Sequence, residues 1–530
     1  MALQCFSINR RGAILSAISA AASPLAAAGA PVRGGTLVIG PGPELTTPLT
    51  SAITTAGLAQ TVSGKIFDGL LTFDAQLRPQ PQLATGWSEA ADGRSITFRL
   101  RPGVKWHDGA PFTSADVAFS ALEAWKKYHS RGRSTFAPVE AVDTPDALTA
   151  VFRLSQPAPY LIAALMSGVE AQVIPRHVFG RGDILANPAL NAPIGTGPFR
   201  FVRWERGSHI VLERNAGYWD APRPYLDRVI LRFTADPAAN AAALEAGEVH
   251  IGLLVPFADY ARLGRLPGLQ VIRQPLNYAA SVNVLGFNLD RPVLRDVRVR
   301  QAFAHAVDRE AIVRSIWHGL ATPAESPIAP SLDGFAARDI PRYPLDLARA
   351  EALLEQAGLP RKGRGPRLVV TCDAAPTGPL PAVGQLLRSN LAKIGVDLRV
   401  RSSDFAEFVN RVYTRRDFDT ALYGGSTGPD PTIGIQRYYW SKNFQPGVAF
   451  SNGEHYASAE ADRLLEAAQT ERDAARRRDL FAQLQRRVLA DLPRIPLLQQ
   501  DSVLVQSRRV QGVANVDDVR GNLASAWLAA

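Results

Sequence analysis

Cysteine is nearly absent from this 530-residue chain, which contains only Cys5 and Cys372. Cys5 lies in an amino-terminal segment that we expect to be removed, so the mature chain would have one thiol and no intrachain disulfide. Stability must then come from a hydrophobic core, for which the length and the 46% apolar composition suffice. Cys372 follows a strand-like segment, and we interpret it as a small buried hydrophobe rather than a reactive thiol.

Apolar runs long enough to span a membrane are missing as well. The run at 13–25 is too short to cross a bilayer. Arg10 and Arg11 precede it and the small residues 26–30 follow, which is the order of a signal peptide, with cleavage expected after Ala28. The paired arginines leave the twin-arginine and the general export routes both open. No cysteine ends the apolar run, so we expect an exported, soluble periplasmic protein without a lipid anchor.

Lysine is scarce, and the net charge of +10 comes mostly from arginine. The basic residues are scattered among acidic ones. Their densest cluster, within 476–487, lies on a predicted amphipathic helix whose Leu480, Leu484 and Val488 face inward. This pattern is typical of a solvated helix face rather than of a track for phosphates, so nucleic acid is not an expected partner.

Patterns for catalysis, metals and cofactors are also sparse. The eight histidines lack metal-ligand spacing, and there is neither a P-loop nor a G-x-G-x-x-G, so no metal and no cofactor are expected. The segment 424–428 matches G-x-S-x-G around Ser426. A nucleophile elbow needs a helix directly behind the serine, yet Pro429 to Pro431 follow and only His455 lies downstream. We favour a glycine-rich cleft loop. The turn residues His107 and Asp108 are interpreted as structural.

Alternating and helical patterns do occur, and they succeed one another along the chain. Period-two alternation predicts strands at 95–101, 199–204, 209–214 and 228–233, and Thr113 with Asp116 forms a capping box. A helix is predicted at 63–71. Later, 368–400 reads as a strand, a helix and a parallel strand. The fold class predicted from these elements is α/β.

Several blocks within this framework are specific when taken together. They are the stretch Leu83–Ser120, the segments Gly195-Thr196-Gly197-Pro198-Phe199 and Asn215-Ala216-Gly217-Tyr218-Trp219, the helix within Tyr343–Leu359, and Leu492-Pro493-Arg494-Ile495-Pro496-Leu497. In this order the chain resembles the family 5 extracellular solute-binding proteins, the peptide, nickel and opine receptors of ABC importers. The resemblance runs from about residue 34 to 515.

This resemblance implies a bilobal periplasmic-binding-protein fold, the "Venus flytrap". We expect a signal peptide at 1–28, a first lobe of 31–275 plus 497–530 with an inserted subdomain at about 66–185, and a second lobe of 276–496. The implied function is capture of a peptide-like, opine-like or other organic solute between the lobes by a monomer, and its delivery to an ABC permease. No enzymatic activity is implied. The alternatives are a secreted serine hydrolase using Ser426 and a periplasmic sensor or chaperone.

The resemblance also places candidate ligand-binding residues. Peptide-binding relatives have a Trp-Thr-Gly-Asp segment whose Asp pairs with the peptide's α-amino group, whereas this chain has Gly-Gly-Ser-Thr at 424–427. Asp430 is an alternative carboxylate, but ordinary peptide binding is not expected. One arginine among aromatic residues suggests an apolar or anionic ligand, unless 438–440 belongs to the core. The candidates are Thr46, Thr47, Ser426, Thr427, Asp430, Arg437, Tyr438, Tyr439 and Trp440.

Overall fold

Two mixed β-sheets organise the computed structural model, which describes residues 30–45, 48–129, 131–166, 171–275, 278–363 and 365–530. The strands are β1 (Thr36–Gly42), β2 (Leu71–Phe73), β3 (Pro79–Pro81), β4 (Ala84–Glu89), β5 (Ser95–Leu100), β6 (Val139–Asp146), β7 (Thr149–Leu154), β8 (Phe199–Glu205), β9 (His209–Arg214), β10 (Arg228–Phe233), β11 (Ile251–Gly252), β12 (Leu269–Gln274), β13 (Ser281–Phe287), β14 (Ala321–Pro323), β15 (Leu368–Ala374), β16 (Val396–Ser402), β17 (Thr420–Ser426), β18 (Arg494–Gln500), β19 (Ser502–Ser507), β20 (Val510–Gln511) and β21 (Trp527–Leu528).

Helices cover and connect these sheets. The α-helices are α1 (Gly57–Ser63), α2 (Ser114–Phe119), α3 (Gly132–Thr135), α4 (Leu161–Ala164), α5 (Arg176–Phe179), α6 (Pro237–Glu245), α7 (Tyr260–Leu263), α8 (Pro292–Arg295), α9 (Val297–Ala306), α10 (Arg309–Ile316), α11 (Leu347–Gln356), α12 (Leu380–Ala392), α13 (Phe405–Val409), α14 (Pro431–Gly434), α15 (Gln436–Tyr439), α16 (Ala459–Thr470), α17 (Ala474–Asp491) and α18 (Val516–Arg520). The π-helical segments Ser120–Trp125 and Asn410–Thr414 continue α2 and α13, and 3₁₀ turns lie at Ile184–Ala186, Pro188–Leu190, Phe257–Asp259 and Ser441–Asn443.

The first sheet has the strand order β12-β19-β11-β1-β10-β9-β8, with β1 parallel to β10 and β11 and the other pairs antiparallel. An antiparallel sheet of order β4-β5-β7-β6 lies within the same half of the molecule. One hydrophobic core joins the two, because side chains such as Leu37 and Phe98 belong to a single buried cluster. We call this half the first lobe.

The second sheet has the order β14-β18-β13-β17-β15-β16, in which β15 pairs in parallel with β16 and β17. The strand, α12 and the next strand form the predicted parallel unit. A separate buried cluster that includes Phe303, Leu387 and Leu484 is the core of this half, which we call the second lobe. The structure thus has the predicted α/β fold with two lobes.

Sequence patterns explain how several elements form locally. In β5 the alternating Ile96, Phe98 and Leu100 are buried while Arg99 is exposed, as period two requires. The capping box at the start of α2 is present, and the backbone N–H of Thr113 donates 2.9 Å to the carboxylate of Asp116. These contacts fix the β5-to-α2 segment inside the first lobe.

Two short segments cross between the lobes. One joins β12 to β13, and the other is Asp501 alone, between β18 and β19. The expected return to the first lobe at 497 falls inside β18, because residues 494–499 still pair with β13. At the crossings the guanidinium of Arg273 contacts the carboxylate of Asp501, and Gln499 Nε2 donates 2.7 Å to the carbonyl of Pro275. The two crossing segments therefore lie side by side.

Candidate functional site

A cavity of about 280 Å³ lies between the lobes, and we call it the basic cavity. Helix α1, the first crossing segment, the end of β17, and helices α15 and α18 contribute to its wall. The charged side chains that the structure describes in this wall are all arginines. The lining residues are Thr55, Gly57, Gln60, Arg131, Tyr278, Ala279, Ser281, Gly424, Ser426, Arg437, Tyr438, Phe450 and Arg520.

Arg437 reaches the basic cavity from the second lobe. Its Nη2 donates a hydrogen bond of 2.6 Å to the hydroxyl of Tyr438, and its guanidinium carbon lies 4.5 Å from the centre of that ring. The tyrosine ring is buried and also packs against the guanidinium of Arg494, 4.2 Å away. Gly425 leaves room for this packing, since a Cβ there would lie 3.1 Å from the ring. The aromatic support fixes the position of Arg437 in the cavity wall.

Arg520 reaches the same cavity from the first lobe, as the last residue of α18. Its guanidinium carbon lies 5.5 Å from the ring centre of Tyr278, whose hydroxyl donates 3.0 Å to Gln60 Oε1. The Nη1 atom of Arg520 is buried without a hydrogen-bond partner among the described residues. A buried donor without a partner has a free-energy cost of roughly 1–3 kcal/mol, which a bound acceptor could offset.

Gly64 and Lys65 hold the backbone around Arg520. The Nζ atom of Lys65 donates to the carbonyl oxygens of Val519 and Gly521, the second at 3.0 Å. A Cβ on Gly64 would lie 2.0 Å from the carbonyl oxygen of Arg520, so glycine permits the close approach. Complete burial lowers the pKa of Lys65 to about 7, because the ammonium has lost its water.

Three of the predicted ligand-binding residues, Ser426, Arg437 and Tyr438, line the basic cavity. The hydroxyl of Ser426 donates to the carbonyl of Ala279 and accepts 3.1 Å from the amide of Gly428. These bonds connect the end of β17 to the first crossing segment. The glycine-rich loop after β17 therefore lies at the junction of the two lobes.

Asp430 has a different environment from the one predicted. Arg477 of α17 contacts both of its carboxylate oxygens, at 2.6 and 2.7 Å, and the side chains are 7% and 8% exposed. Asp430 also accepts 2.8 Å from the amide of Thr432 and so caps α14. Asp430 is thus paired inside the second lobe and is absent from the lining of the basic cavity, and its role in ligand binding stays a prediction.

The remaining predicted residues pack mainly within the second lobe. Thr427 is buried, and its hydroxyl accepts 3.3 Å from the amide of Ala329. Tyr439 is buried, and Trp440 Nε1 donates 2.9 Å to the carboxylate of Glu466. The contacts of Tyr439 and Trp440 correspond to the core interpretation of 438–440, and Thr427 likewise packs within the second lobe.

Thr46 and Thr47, the two candidates from the first lobe, lie outside the residues that the structure describes.

The surroundings of Ser426 also bear on the hydrolase alternative. Both of its hydrogen bonds go to main-chain atoms, and the next helix, α14, begins only at Pro431. His455 instead pairs with Asp290 at 2.7 Å and stacks on Phe444 with 3.7 Å between ring centres. Among the described residues, Ser426 thus has no hydrogen bond to a side-chain base of the kind that activates a nucleophile.

A second cavity of about 370 Å³ adjoins the basic cavity, and we call it the apolar cavity. The two share Gly57, Ala279, Ser281 and Arg520 in their linings. Most of the other side chains are hydrocarbon. The remaining lining residues are Pro41, Leu58, Thr61, Leu253, Leu254, Val255, Phe257, Tyr260, Gly378, Pro379, Gln500, Asp501, Ser502, Val503 and Val516.

Contacts between the lobes occur on both sides of these cavities. Arg472, between α16 and α17, donates to the carbonyl of Ala91 in the β4–β5 turn. Phe257 of the first lobe lies 6.2 Å from Trp317 of the second, and Ile433 packs into the core cluster of the first lobe. The lobes are therefore closed over the cavities in this structure.

His107 joins two of the sequence blocks within the first lobe. Its Nδ1 accepts 3.2 Å from the amide of Gly195, and its Nε2 donates 3.0 Å to the carbonyl of Gly197. This pair of bonds requires the neutral ring, and burial lowers the pKa of His107 to about 4. The structural role predicted for this turn agrees with these contacts.

Asp68 connects the same blocks from the other side. Its carboxylate accepts 2.9 Å from Trp219 Nε1 and 2.7 Å from Gln82 Nε2, while Thr196 lies at 3.3 Å. Burial raises the pKa of Asp68 to about 6. The sequence blocks around residues 83–120 and 195–219 therefore form one polar network inside the first lobe, separate from the lining of the basic cavity.

Within the described part of the chain, no group of three or more His, Cys, Asp or Glu side chains is arranged to hold a metal ion. Within the same residues, no helix has both the length and the apolar character needed to cross a membrane.

Residues 78–447 match the model of the middle region of the bacterial extracellular solute-binding proteins, family 5. This chain belongs to that family. The solute-binding protein is 31% identical over 441 residues to a protein of Brucella ovis named as an ABC transporter peptide-binding protein, with 81% of this chain and 80% of that one covered. The family predicted from the sequence blocks is therefore confirmed.

Two further relatives agree in length and fold. The glutathione-binding protein GsiB of Pectobacterium atrosepticum is 28% identical over 462 residues, covering 86% of this chain and 87% of its own. The crystal structure of NikZ from Campylobacter jejuni in complex with Ni(L-His) superposes with a TM-score of 0.80 and 26% identity, over 91% of this chain and 95% of that one. The periplasmic-binding-protein fold is therefore confirmed, and the protein is a solute receptor of the ABC transporter type.

Several residues of the solute-binding protein's basic cavity escaped prediction. Gln60, Arg131, Tyr278 and Arg520 are far apart in sequence, and only the crossing of the chain between lobes brings them together. A signal for α18 was available, because Asn515 and Asp518 form a capping box just before Arg520. Nothing in the sequence indicated that this short helix would point its last residue at the cleft.

Proposed function

We propose that this solute-binding protein captures a small anionic solute between its lobes and delivers it to a membrane permease. The observation that carries the proposal is the pair Arg437 and Arg520, which line one cavity from opposite lobes and each lie over a tyrosine ring. Guanidinium groups bind carboxylates and phosphates through charge-assisted, often bidentate hydrogen bonds. An oxyanion is the ligand group that matches this wall.

Such a ligand would couple binding to closure. A ligand favours the closed state only to the extent that it interacts better with that state, and an anion touching both arginines does so. Without it, closure brings two cations toward the same cavity, which is unfavourable. Binding thus supplies the attraction that offsets this repulsion, and hinge movement would occur at the two crossing segments.

An ordinary peptide fits this site less well. Its α-ammonium group needs a carboxylate, and Asp430 is paired with Arg477. Asp501, in the wall of the apolar cavity, is paired with Arg273. The relative named for glutathione supports the proposal in one respect, because glutathione is a peptide derivative with two carboxylates and a net negative charge.

The same proposal includes the residue bounds of each lobe and the partners of the protein. We place the first lobe at 31–275 plus the residues after Asp501, with the subdomain at about 66–185, and the second lobe between them. The protein would act as a periplasmic monomer without a cofactor, with the permease of an ABC importer as its partner and nucleic acid excluded. We assign no catalytic role to Ser426, whose hydroxyl bonds only main-chain atoms.

The test begins with the solute that the protein itself retains. Native mass spectrometry of the protein purified from its own periplasm gives the mass of that solute, and release followed by electrophoresis gives its charge. We expect an anion whose affinity falls about 10–100-fold in Arg437→Gln or Arg520→Gln, as the loss of one charge-assisted hydrogen bond predicts.

The matched controls are Arg463→Gln and Arg508→Gln, which remove exposed arginines elsewhere in each lobe. Both should bind as the unmodified protein does. A cationic or uncharged solute, or full affinity in both cavity variants, would refute the proposed anion site. Crosslinking in membranes that captures a histidine kinase rather than a permease would favour the sensor alternative.

A further inference from the structure

The apolar cavity continues directly from the wall that carries the two arginines. Arg520 lines both cavities, so its guanidinium stands at their junction. Beyond it the wall includes Leu58, Leu253, Val255 and Phe257. A ligand whose anionic group lies at Arg520 has a hydrocarbon surface as its next neighbour.

Leu254 is the clearest sign that this surface has a partner. It lies in the wall of the apolar cavity with 40% of its surface exposed, among the more exposed large hydrophobic residues of the protein. Gly42 leaves space beside it, because a Cβ there would lie 3.1 Å from Leu254 Cδ2. An exposed leucine in a concave and mostly apolar wall is typical of a ligand-binding pocket.

One acidic side chain lies in this wall. Asp501 lines the apolar cavity with a fully buried side chain; Arg273 contacts its Oδ2, while its Oδ1 has no hydrogen-bond partner among the described residues. Burial raises the pKa of Asp501, which lessens its ability to attract a cation. The apolar cavity thus offers mainly hydrocarbon contact to whatever enters from the basic cavity.

We propose that the solute is an amphiphilic anion: a carboxylate or similar oxyanion at Arg437 and Arg520, with an apolar arm in the apolar cavity. This inference rests on the proposed anion-binding function and adds the second half of the ligand. The volume of about 370 Å³ lies in the range of pockets that hold small organic ligands, so a short alkyl or aryl arm has room. Burial of the arm against both lobes would add to the stabilisation of the closed state.

The experiment uses a series of straight-chain carboxylates, from acetate through butyrate and hexanoate to octanoate, with succinate and citrate as polar anions of similar size. Isothermal titration calorimetry at constant pH and ionic strength gives each dissociation constant. We expect affinity to rise by about fourfold for each methylene that enters the apolar cavity, the value for burial of one CH₂ group. The polar anions should bind no better than acetate.

A matched pair of variants separates the arm from the anion. Leu254→Asn adds no charge and should abolish the dependence on chain length, and Leu185→Asn, at a leucine 57% exposed away from the cavities, should keep the full dependence. Thermal unfolding confirms that both variants fold. The milder Leu254→Ala should reduce the slope in the same direction if the asparagine variant fails to fold.

The two proposals fail in different ways. If the short anions bind through Arg437 and Arg520 but chain length has no effect, or if citrate binds best, the apolar arm is refuted and the anion site stands. If neither the carboxylates nor the co-purified solute responds to Arg437→Gln and Arg520→Gln, the anion site itself is refuted.

Discussion

Buried arginines serve two purposes in this protein, and the contrast between them distinguishes the site from the scaffold. In the second lobe Arg477 forms an ion pair with Asp430, and Arg494 forms one with Glu454. Each of these four side chains is less than 10% exposed. At the cleft Arg520 lies over a tyrosine ring and forms no direct ion pair among the described residues, although the nearby charge of Asp517 acts on it. The first kind of arginine is paired within a core, whereas the second would be paired by the solute under the proposed function.

The difference shows why charge alone is a poor guide to a site. Asp430 and Arg437 are seven residues apart on the same loop region, and both are attractive candidates in the sequence. The carboxylate of Asp430 lies inside the second lobe, where it accepts hydrogen bonds from Arg477 and from the amide of Thr432 at the start of α14. Arg437 remains in the cavity wall. The role of Asp430 is decided by Arg477, a partner 47 residues away in sequence.

The largest effect should come from breaking the buried pair of the scaffold. Arg494→Met leaves the carboxylate of Glu454 buried without its cation, and such a loss typically costs about 3–5 kcal/mol of unfolding free energy. Arg520→Gln should cost the ligand-free protein less, about 1 kcal/mol, because Asp517 loses a nearby positive charge but keeps its hydrogen bond from Gln274 Nε2. Urea unfolding monitored by circular dichroism measures both.

The double variant Arg494→Met with Glu454→Leu is the control for this prediction. It removes the unpaired charge, so most of the lost stability should return. Equal losses in Arg494→Met and Arg520→Gln would abolish the distinction between the two kinds of arginine.

A smaller effect is expected from His107, which belongs to the scaffold although it is polar and titratable. Its pKa is about 4 in the folded protein and near 6.5 when unfolded, so between these values the unfolded chain takes up the proton first. The contribution of His107 to stability is therefore present above pH 6.5 and is lost as the pH falls toward 4. Asp108 and Arg200, its charged neighbours, act in opposite directions on this pKa.

His107→Gln should remove this pH dependence. The stability advantage of the unmodified protein over the variant should shrink by about 1–3 kcal/mol between pH 6.5 and 4, at 1.36 kcal/mol per pKa unit. Unfolding curves at several pH values give this difference, in which the other titrating groups cancel. A constant difference would mean that His107 is not held neutral, and altered solute affinity would move it from the scaffold to the site.

The smallest effect concerns Arg472, which joins the lobes outside the cavities. Its hydrogen bond to the carbonyl of Ala91 is exposed, so Arg472→Ala should weaken solute affinity about 2–5-fold, through loss of one closure contact worth roughly 0.5–1 kcal/mol. Calorimetry with the co-purified solute measures the change, with Arg476→Ala as an exposed control from the next helix. Unaltered affinity would show that this contact does not favour closure.

Much of the fold could be predicted because it follows from local pattern. The alternation at 199–233 placed β8, β9 and β10 within one residue of their observed ends. The helix expected at 63–71 is wrong: α1 ends at Ser63 and turns follow. There Gly64 packs against the backbone of Arg520 and Lys65 bonds the neighbouring carbonyls, so tertiary contacts with the end of the chain override helix propensity.

The candidate site could be predicted only in part, for a related reason. The sequence predicted that the loop after β17 belongs to the cleft, and three of its candidate residues, Ser426, Arg437 and Tyr438, do line the cavity. Which side chains of that loop face the cavity depends on two short helices and their packing. Asp430 and Pro431 signal the start of α14, but the residues before α15 give it no capping signal, and neither pattern fixes how the helices pack. Arg520 comes from the far end of the chain and could be assigned only from the folded structure.

One measurement tests the central claim most directly, namely that a single anionic group joins the lobes through Arg437 and Arg520. It is a double-mutant cycle on the affinity for the co-purified solute, measured by calorimetry for the unmodified protein, Arg437→Gln, Arg520→Gln and the double variant. We predict that the two losses depart from additivity by more than about 0.5 kcal/mol, because both arginines contact the same group. Losses that add independently, or no loss at all, would contradict the account.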